Sequence, residues 1–97
     1  MKPLVFLSPA EQELSEAAEF YEARRKGLGR RFLDAVESAG GQVQSNPRSC
    51  PIIRAYVRRK LIVNFPYGLL YRDDPDEIVV LALMHLHRRP GYWLNRL

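Results

Sequence analysis

The sequence predicts an α+β domain: an N-terminal strand, an antiparallel helix hairpin, then a three- to four-stranded antiparallel meander forming one small sheet with the helices on one face. Three observations carry this. Apolar residues recur at helical spacing from residue 9 to residue 45, with one glycine-marked break. From Ile53 the period changes to two. The run Ile78-Val79-Val80-Leu81-Ala82-Leu83-Met84 has no polar member and is rich in β-branched and large aliphatic side chains, as expected of a strand buried on both faces.

The elements follow in order. Leu4 to Leu7 is a short strand expected to join an edge of the sheet. Ser8-Pro9-Ala10-Glu11 reads as a capping box, with serine at the N-cap, proline at the first helical position and glutamate three residues after the cap. Leu14, Ala17, Ala18 and Tyr21 then form the apolar stripe of a helix from Pro9 to about Arg25. Glu13, Glu16 and Glu19 are assigned to its water-facing side. Lys26-Gly27-Leu28-Gly29 makes a tight reversal, and a second helix runs from Leu28 to Ser45 with Leu28, Phe32, Ala35, Val36, Ala39 and Val43 on one side. Gly40-Gly41 weakens that helix unless the glycines serve close packing. Arg48 to Pro51 is a loop. Ile53, Ala55 and Val57 alternate with Arg54, Tyr56 and Arg58 along a half-buried strand, Arg58-Arg59-Lys60 is expected to reverse the chain, and Leu61 to Phe65 is expected as the next strand. After Pro66, extended structure resumes over Tyr67 to Arg72. The turn cluster Asp73-Asp74-Pro75-Asp76 then leads into the apolar strand.

The 97 residues fit one domain, 1–97, and the hydrophobic fraction of 46% supplies a core. No apolar run approaches the ~20 residues of a membrane-spanning helix, and the N-terminus lacks the long apolar stretch of a signal peptide. A lone cysteine, Cys50, excludes an internal disulfide and suits a reducing compartment, so a cytoplasmic location is expected. Fifteen Lys and Arg stand against eleven Asp and Glu, a net charge of +4. The basic residues gather in Arg24–Arg31, Arg54–Lys60 and Arg88–Arg96, the acidic ones in Glu11–Glu22 and Asp73–Glu77. Such a surface predicts an anionic partner, nucleic acid or acidic peptide; the competing explanation is plain solubility.

Chemistry is sparse. The chain has no Gly-rich phosphate loop, no zinc-spaced Cys/His set and no serine or cysteine triad. His85 and His87 share one strand face and supply at most two metal ligands without an evident third; a structural pair is the alternative, and neither metal nor cofactor is assigned. Arg54, Tyr56, Arg58, Arg59, Lys60, Arg72 and Arg88, with Tyr92 and Trp93, form the candidate target-binding set. Adjacent strands about 5 Å apart would let several of these cations converge. Arginines and rings grip phosphates and stack on bases, and they equally anchor protein interfaces. For Trp93 the alternative is an anchor packed on the sheet.

The pattern Phe65-Pro66-Tyr67-x-x-x-Tyr71-Arg72, an acidic turn, Glu77-Ile78-Val79-Val80-Leu81-Ala82, then His85-x-x-Arg88-x-Pro90-x-Tyr92-Trp93 resembles the RelE/ParE superfamily of bacterial type II toxins. The likeness in element order covers nearly the whole chain. It implies a toxin neutralised by a cognate antitoxin whose C-terminal segment, disordered alone, folds over the toxin's helices and sheet. The helix stripe Leu14, Ala18, Tyr21, Phe32 and Val36 is the surface assigned to that contact. RelE-like members cut messenger RNA on the ribosome with lysine, arginine and a C-terminal tyrosine; ParE-like members inhibit DNA gyrase. The nuclease pattern is incomplete here. Its arginine after the strand-opening tyrosine becomes Gly68, its lysine pair becomes Arg59 and Leu61, and its terminal tyrosine falls near Leu94, although Tyr92 is close and Arg88 is kept. The resemblance therefore favours a ParE-like, plasmid-stabilisation type toxin that binds gyrase and is not an enzyme. The alternative is a ribosome-dependent endoribonuclease using Arg88, His85, His87, Tyr92, Arg59 and Lys60.

Overall fold

The structure is a computed structural model describing residues 1–97. In chain order it comprises β1 (Leu4–Phe6), α1 (Ser8–Arg24), α2 (Leu28–Ser45), β2 (Ile52–Arg54), β3 (Val57–Leu61), β4 (Tyr67–Asp73), β5 (Ile78–His85) and a 3₁₀ turn at Leu94–Arg96. The five strands form one sheet in the order β1-β5-β4-β3-β2. The last four make the antiparallel meander, and β1 completes the sheet by lying parallel to β5, with Leu4 opposite Ile78 and Phe6 opposite Val80.

The helix hairpin forms as its periodicity requires, but α1 does not start with the expected capping box. In α1, Leu7 occupies the N-cap position without a side-chain cap, and its carbonyl accepts the Glu11 N–H. The start of α2 is capped by a side chain from the end of α1. Glu22 accepts hydrogen bonds from the Gly27 and Gly29 N–H groups at 3.0–3.1 Å, satisfying the first donors of α2. Gly27 sits at φ 89°, where an L side chain is strained, so the reversal needs a glycine there.

Phe32, Val36, Ala39 and Val43 of α2 and Ala10 and Ala17 of α1 pack on Leu69, Tyr71, Ile78, Val80 and Leu83. Tyr21, Phe32, Phe65 and Tyr67 form an aromatic cluster at one end of that core, with ring centroids 5.0–6.3 Å apart. The opposite sheet face has its own small core, where Val57, Leu70, Leu81, Ala82 and Met84 are covered by Trp93. A bulge lets β5 serve both faces. Leu70 pairs with Ala82 but Tyr71 pairs with Val80, so Leu81 is an extra residue. Ile78 and Val80 face the helices before it, Leu83 and His85 after it, because one inserted residue inverts the two-residue alternation.

Two strand expectations are corrected. The reversal lies at Ala55-Tyr56, between the paired residues Arg54 and Val57, and not at Arg58-Arg59-Lys60. Those three residues instead run along β3. The expected strand Leu61–Phe65 dissolves after Leu61 into the turn to β4, where Asn64 adopts φ 68°.

Candidate functional site

The placement of β3 decides the fate of the basic cluster. Arg58 pairs opposite Tyr71 and Lys60 opposite Leu69, on the helix side, whereas Arg59 pairs opposite Leu70 on the other. Arg58 is consumed internally, its Nη1 donating to the carbonyls of Cys50 at 2.7 Å and Arg48 at 3.2 Å. Arg72 is held by Asp74 at 2.8 Å, with Tyr56 beside it. The first cause of its raised pKa is that hydrogen bond. Lys60 stands on the rim of a groove of about 810 Å³ between α2 and the β3–β4 turn, near Arg31, Leu61, Val63 and Phe65. The stem of Arg59 crosses Gly68, where a β-carbon would come within 2.9 Å of its Cδ, and its buried Nε has no hydrogen-bond partner. Arg54 reaches toward Gly91. The cations therefore occupy several separate places. Tyr56, Arg58 and Arg72 line one small pocket with Arg48, but the expected single patch does not form, because the reversal comes three residues earlier and distributes Arg58, Arg59 and Lys60 over alternate faces.

Trp93 is only 2% exposed and belongs to the second core, so it is an anchor and not a surface ring. The helix stripe is likewise spent on the sheet. Phe32 and Val36 are buried, and Leu14, Ala18 and Tyr21 are partly buried against the same core. Other large apolar groups, Leu61, Val63 and Phe20 among them, remain open to solvent. His85 and His87 are neighbours linked by one bond: the backbone N–H of His87 donates to His85 Nδ1 at 3.1 Å, and the His85 ring leans edge-on against Tyr67. No third His, Cys, Asp or Glu joins them in a metal-holding group.

The one dense polar assembly lies where β5 delivers the chain into its C-terminal arm, residues 88–96, and its centre is Glu13. Through Oε2 its carboxylate accepts hydrogen bonds from the Tyr92 hydroxyl at 2.6 Å and from Arg96 Nη2 at 3.1 Å, with Arg88 Nη1 at 3.3 Å. Through Oε1 it accepts from Arg96 Nη1 at 2.9 Å and from the Leu83 N–H at 3.1 Å. Arg96 Nη1 also donates to the Leu81 carbonyl. The Arg88 guanidinium stacks 3.8 Å from the centre of the Tyr92 ring. Burial first, then the bond to Glu13 and its charge, raise the Tyr92 phenol well above its ordinary value. The Glu13 side chain is 10% exposed, so assigning it to the water-facing side of α1 is wrong. It shares a helical row with Ala10 and Ala17, three residues before and four after, and both are buried. Two alanines flanking an acid at that spacing were the available signal for an inward carboxylate.

This assembly joins the Tyr92 hydroxyl and two arginines on one carboxylate, with no metal-holding group of His, Cys, Asp and Glu beside them. It defines a small basic α+β domain that presents arginine and tyrosine from a C-terminal arm. The family profile of the "ParE toxin of type II toxin-antitoxin system, parDE" matches residues 4–90, and the chain belongs to that family. The solved structure described as "Chromosomal ParDE TA system from P. aeruginosa" shares the fold, with a TM-score of 0.67 and 19% sequence identity over 90% of this chain and 98% of that one. No curated protein sequence matches the chain. No helix is long and apolar enough to cross a membrane.

Proposed function

We propose that this chain is the toxin of a type II pair that inhibits DNA gyrase by binding, acts in the cytoplasm, and is silenced by a cognate antitoxin segment that folds on it. The family match over residues 4–90 carries this reading. The state of the nuclease positions supports binding over cleavage. Gly68 leaves no side chain where a cation would stand, Arg59 lies flat across it, and Arg88 and Tyr92 are engaged by Glu13. Phosphodiester cleavage requires a base, an acid and a stabiliser of the phosphorane, and the missing cation at Gly68 together with the engagement of Arg88 and Tyr92 by Glu13 favours binding. The groove between α2 and the β3–β4 turn, with Leu61 and Val63 exposed and Lys60 and Arg31 at its rim, suits an apolar segment with acidic flanks.

Arg88 remains 53% exposed despite its ion pair and is the residue we assign to target contact. The test is purified toxin in a gyrase supercoiling assay and, separately, with translating ribosomes. Supercoiling is expected to stop while message stays intact, and Arg88→Ala is expected to weaken inhibition about tenfold, the scale of one lost interface anchor. Cleaved message with normal supercoiling would establish the endoribonuclease reading in its place.

A further inference from the structure

Residues 88–96 form no strand, and beyond residue 93 only a single 3₁₀ turn, Leu94–Arg96, gives them regular structure. Their backbone bonds are local turns, from Arg88 to His85, Tyr92 to Arg89, Leu94 to Gly91 and Arg96 to Trp93, so the segment is fastened to the rest of the domain mainly by its side chains. Two fastenings do this. Trp93 fills the core on the second sheet face. Glu13, from the first helix, gathers Arg88, Tyr92 and Arg96 onto a single carboxylate.

The position of that carboxylate has a backbone cause. β1 ends at Phe6, and its last link to β5 is the Leu7 N–H donating to the Val80 carbonyl. Past that point β5 has no neighbouring strand on that side. The bulge at Leu81 turns the Leu81 carbonyl and the Leu83 N–H toward the vacant edge. Glu13 accepts from the Leu83 N–H and Arg96 donates to the Leu81 carbonyl, so the ion pair continues the ladder in place of a strand. Buried backbone groups of this kind are costly to leave unpaired. Oε2 of the same carboxylate accepts from both Arg88 and Tyr92, which holds the guanidinium over the Tyr92 ring and limits the directions it can take.

We infer that Glu13 is the positioning residue of the target-binding arm: it seats residues 88–96 on the edge of β5 and sets the direction in which Arg88 is presented. The inference rests on the reading that Arg88 meets the target. Glu13 itself, at the base of the arm, touches only this chain.

The test uses the full-length toxin with Glu13→Gln, which keeps an oxygen to accept from the Leu83 N–H while removing the charge that gathers the arginines. Amide hydrogen exchange and supercoiling inhibition are measured on wild type, Glu13→Gln, Arg88→Ala and the double variant, with Arg89→Ala as a control on an exposed neighbour. Glu13→Gln is expected to speed exchange at least tenfold in residues 88–96 while Leu70 and Val80 keep their protection. It is also expected to weaken inhibition about as much as Arg88→Ala, to add nothing further to Arg88→Ala, and to combine additively with Arg89→Ala. Unchanged exchange in the arm, or a Glu13→Gln loss that adds in full to that of Arg88→Ala, overturns the inference. If Arg88→Ala weakens inhibition and Glu13→Gln does not, the role of Glu13 alone is rejected. If Arg88→Ala inhibits like wild type, the target reading falls and takes the role of Glu13 with it, whatever the exchange shows.

Discussion

Ala55 turns the β2–β3 hairpin at φ 51°, in the left-handed region that costs an L residue about 1–2 kcal/mol. Glycine there removes the strain but gives the unfolded chain more freedom, which offsets part of the gain. Ala55→Gly is therefore expected to stabilise the domain by up to about 1 kcal/mol and raise Tm by a few degrees in a thermal melt. An unchanged or lower Tm would show that the turn is not strained. Tyr71 offers a second residue-scale test. Its side chain is fully buried, and its hydroxyl donates to the Pro47 carbonyl at 2.6 Å. Burial, and after it the neighbouring Cys50, hold its phenol protonated well above the ordinary value of about 10. The folded state thus keeps a proton that the unfolded state releases above pH 10, so stability is fully present below that pH and declines as pH rises past it. The limiting slope is about 1.4 kcal/mol per pH unit for one phenol. Tyr71→Phe is expected to cost about 1 kcal/mol at neutral pH and to flatten this alkaline decline in denaturant titrations between pH 9 and 11.

The elements were legible where one period ran uninterrupted. Phe32, Val36, Ala39 and Val43 mark α2 because each is buried at three- or four-residue spacing, and the apolar run Ile78–Met84 is buried throughout in β5. What stayed hidden depended on contacts far along the chain. The bulge at Leu81 leaves no mark in a run whose members are all apolar, and the Ala55-Tyr56 reversal contains no glycine, proline or asparagine. The inward turn of Glu13 answers backbone groups on β5 that no local pattern describes. The candidate site suffered accordingly. Arg88 and Tyr92 were found as neighbours, but the residue joining them was placed in water, and cations adjacent in sequence proved to lie on different faces. Two glycines of α2 separate packing from propensity. A β-carbon on Gly29 would lie 2.6 Å from the Ala18 carbonyl of α1, a backbone atom that cannot swing aside; one on Gly41 meets nothing within 4 Å. Gly29→Ala should destabilise by about 1–3 kcal/mol by prising the hairpin apart. Gly41→Ala should stabilise by about 0.5–1 kcal/mol. Equal effects in chemical denaturation would contradict this account of the helix contact.

At the scale of the whole molecule, the sheet separates two cores with different duties. The helix side supplies most of the buried apolar surface. The other side seals a smaller core with the arm that bears Arg88 and Tyr92. The arm and the groove at the β3–β4 turn therefore sit on different parts of the surface. The parallel pairing of β1 with β5 carries a further consequence. The first strand of the domain has for its partner the fifth, so the emerging polypeptide can build its helices but cannot close its sheet until β5 has left the ribosome. Nascent chains stalled with Ile78–His85 still in the exit tunnel should be digested readily by protease, and those with the arm fully extruded should resist. A cell making this protein would thus have a delay, set by the order of strands alone, before the folded domain exists.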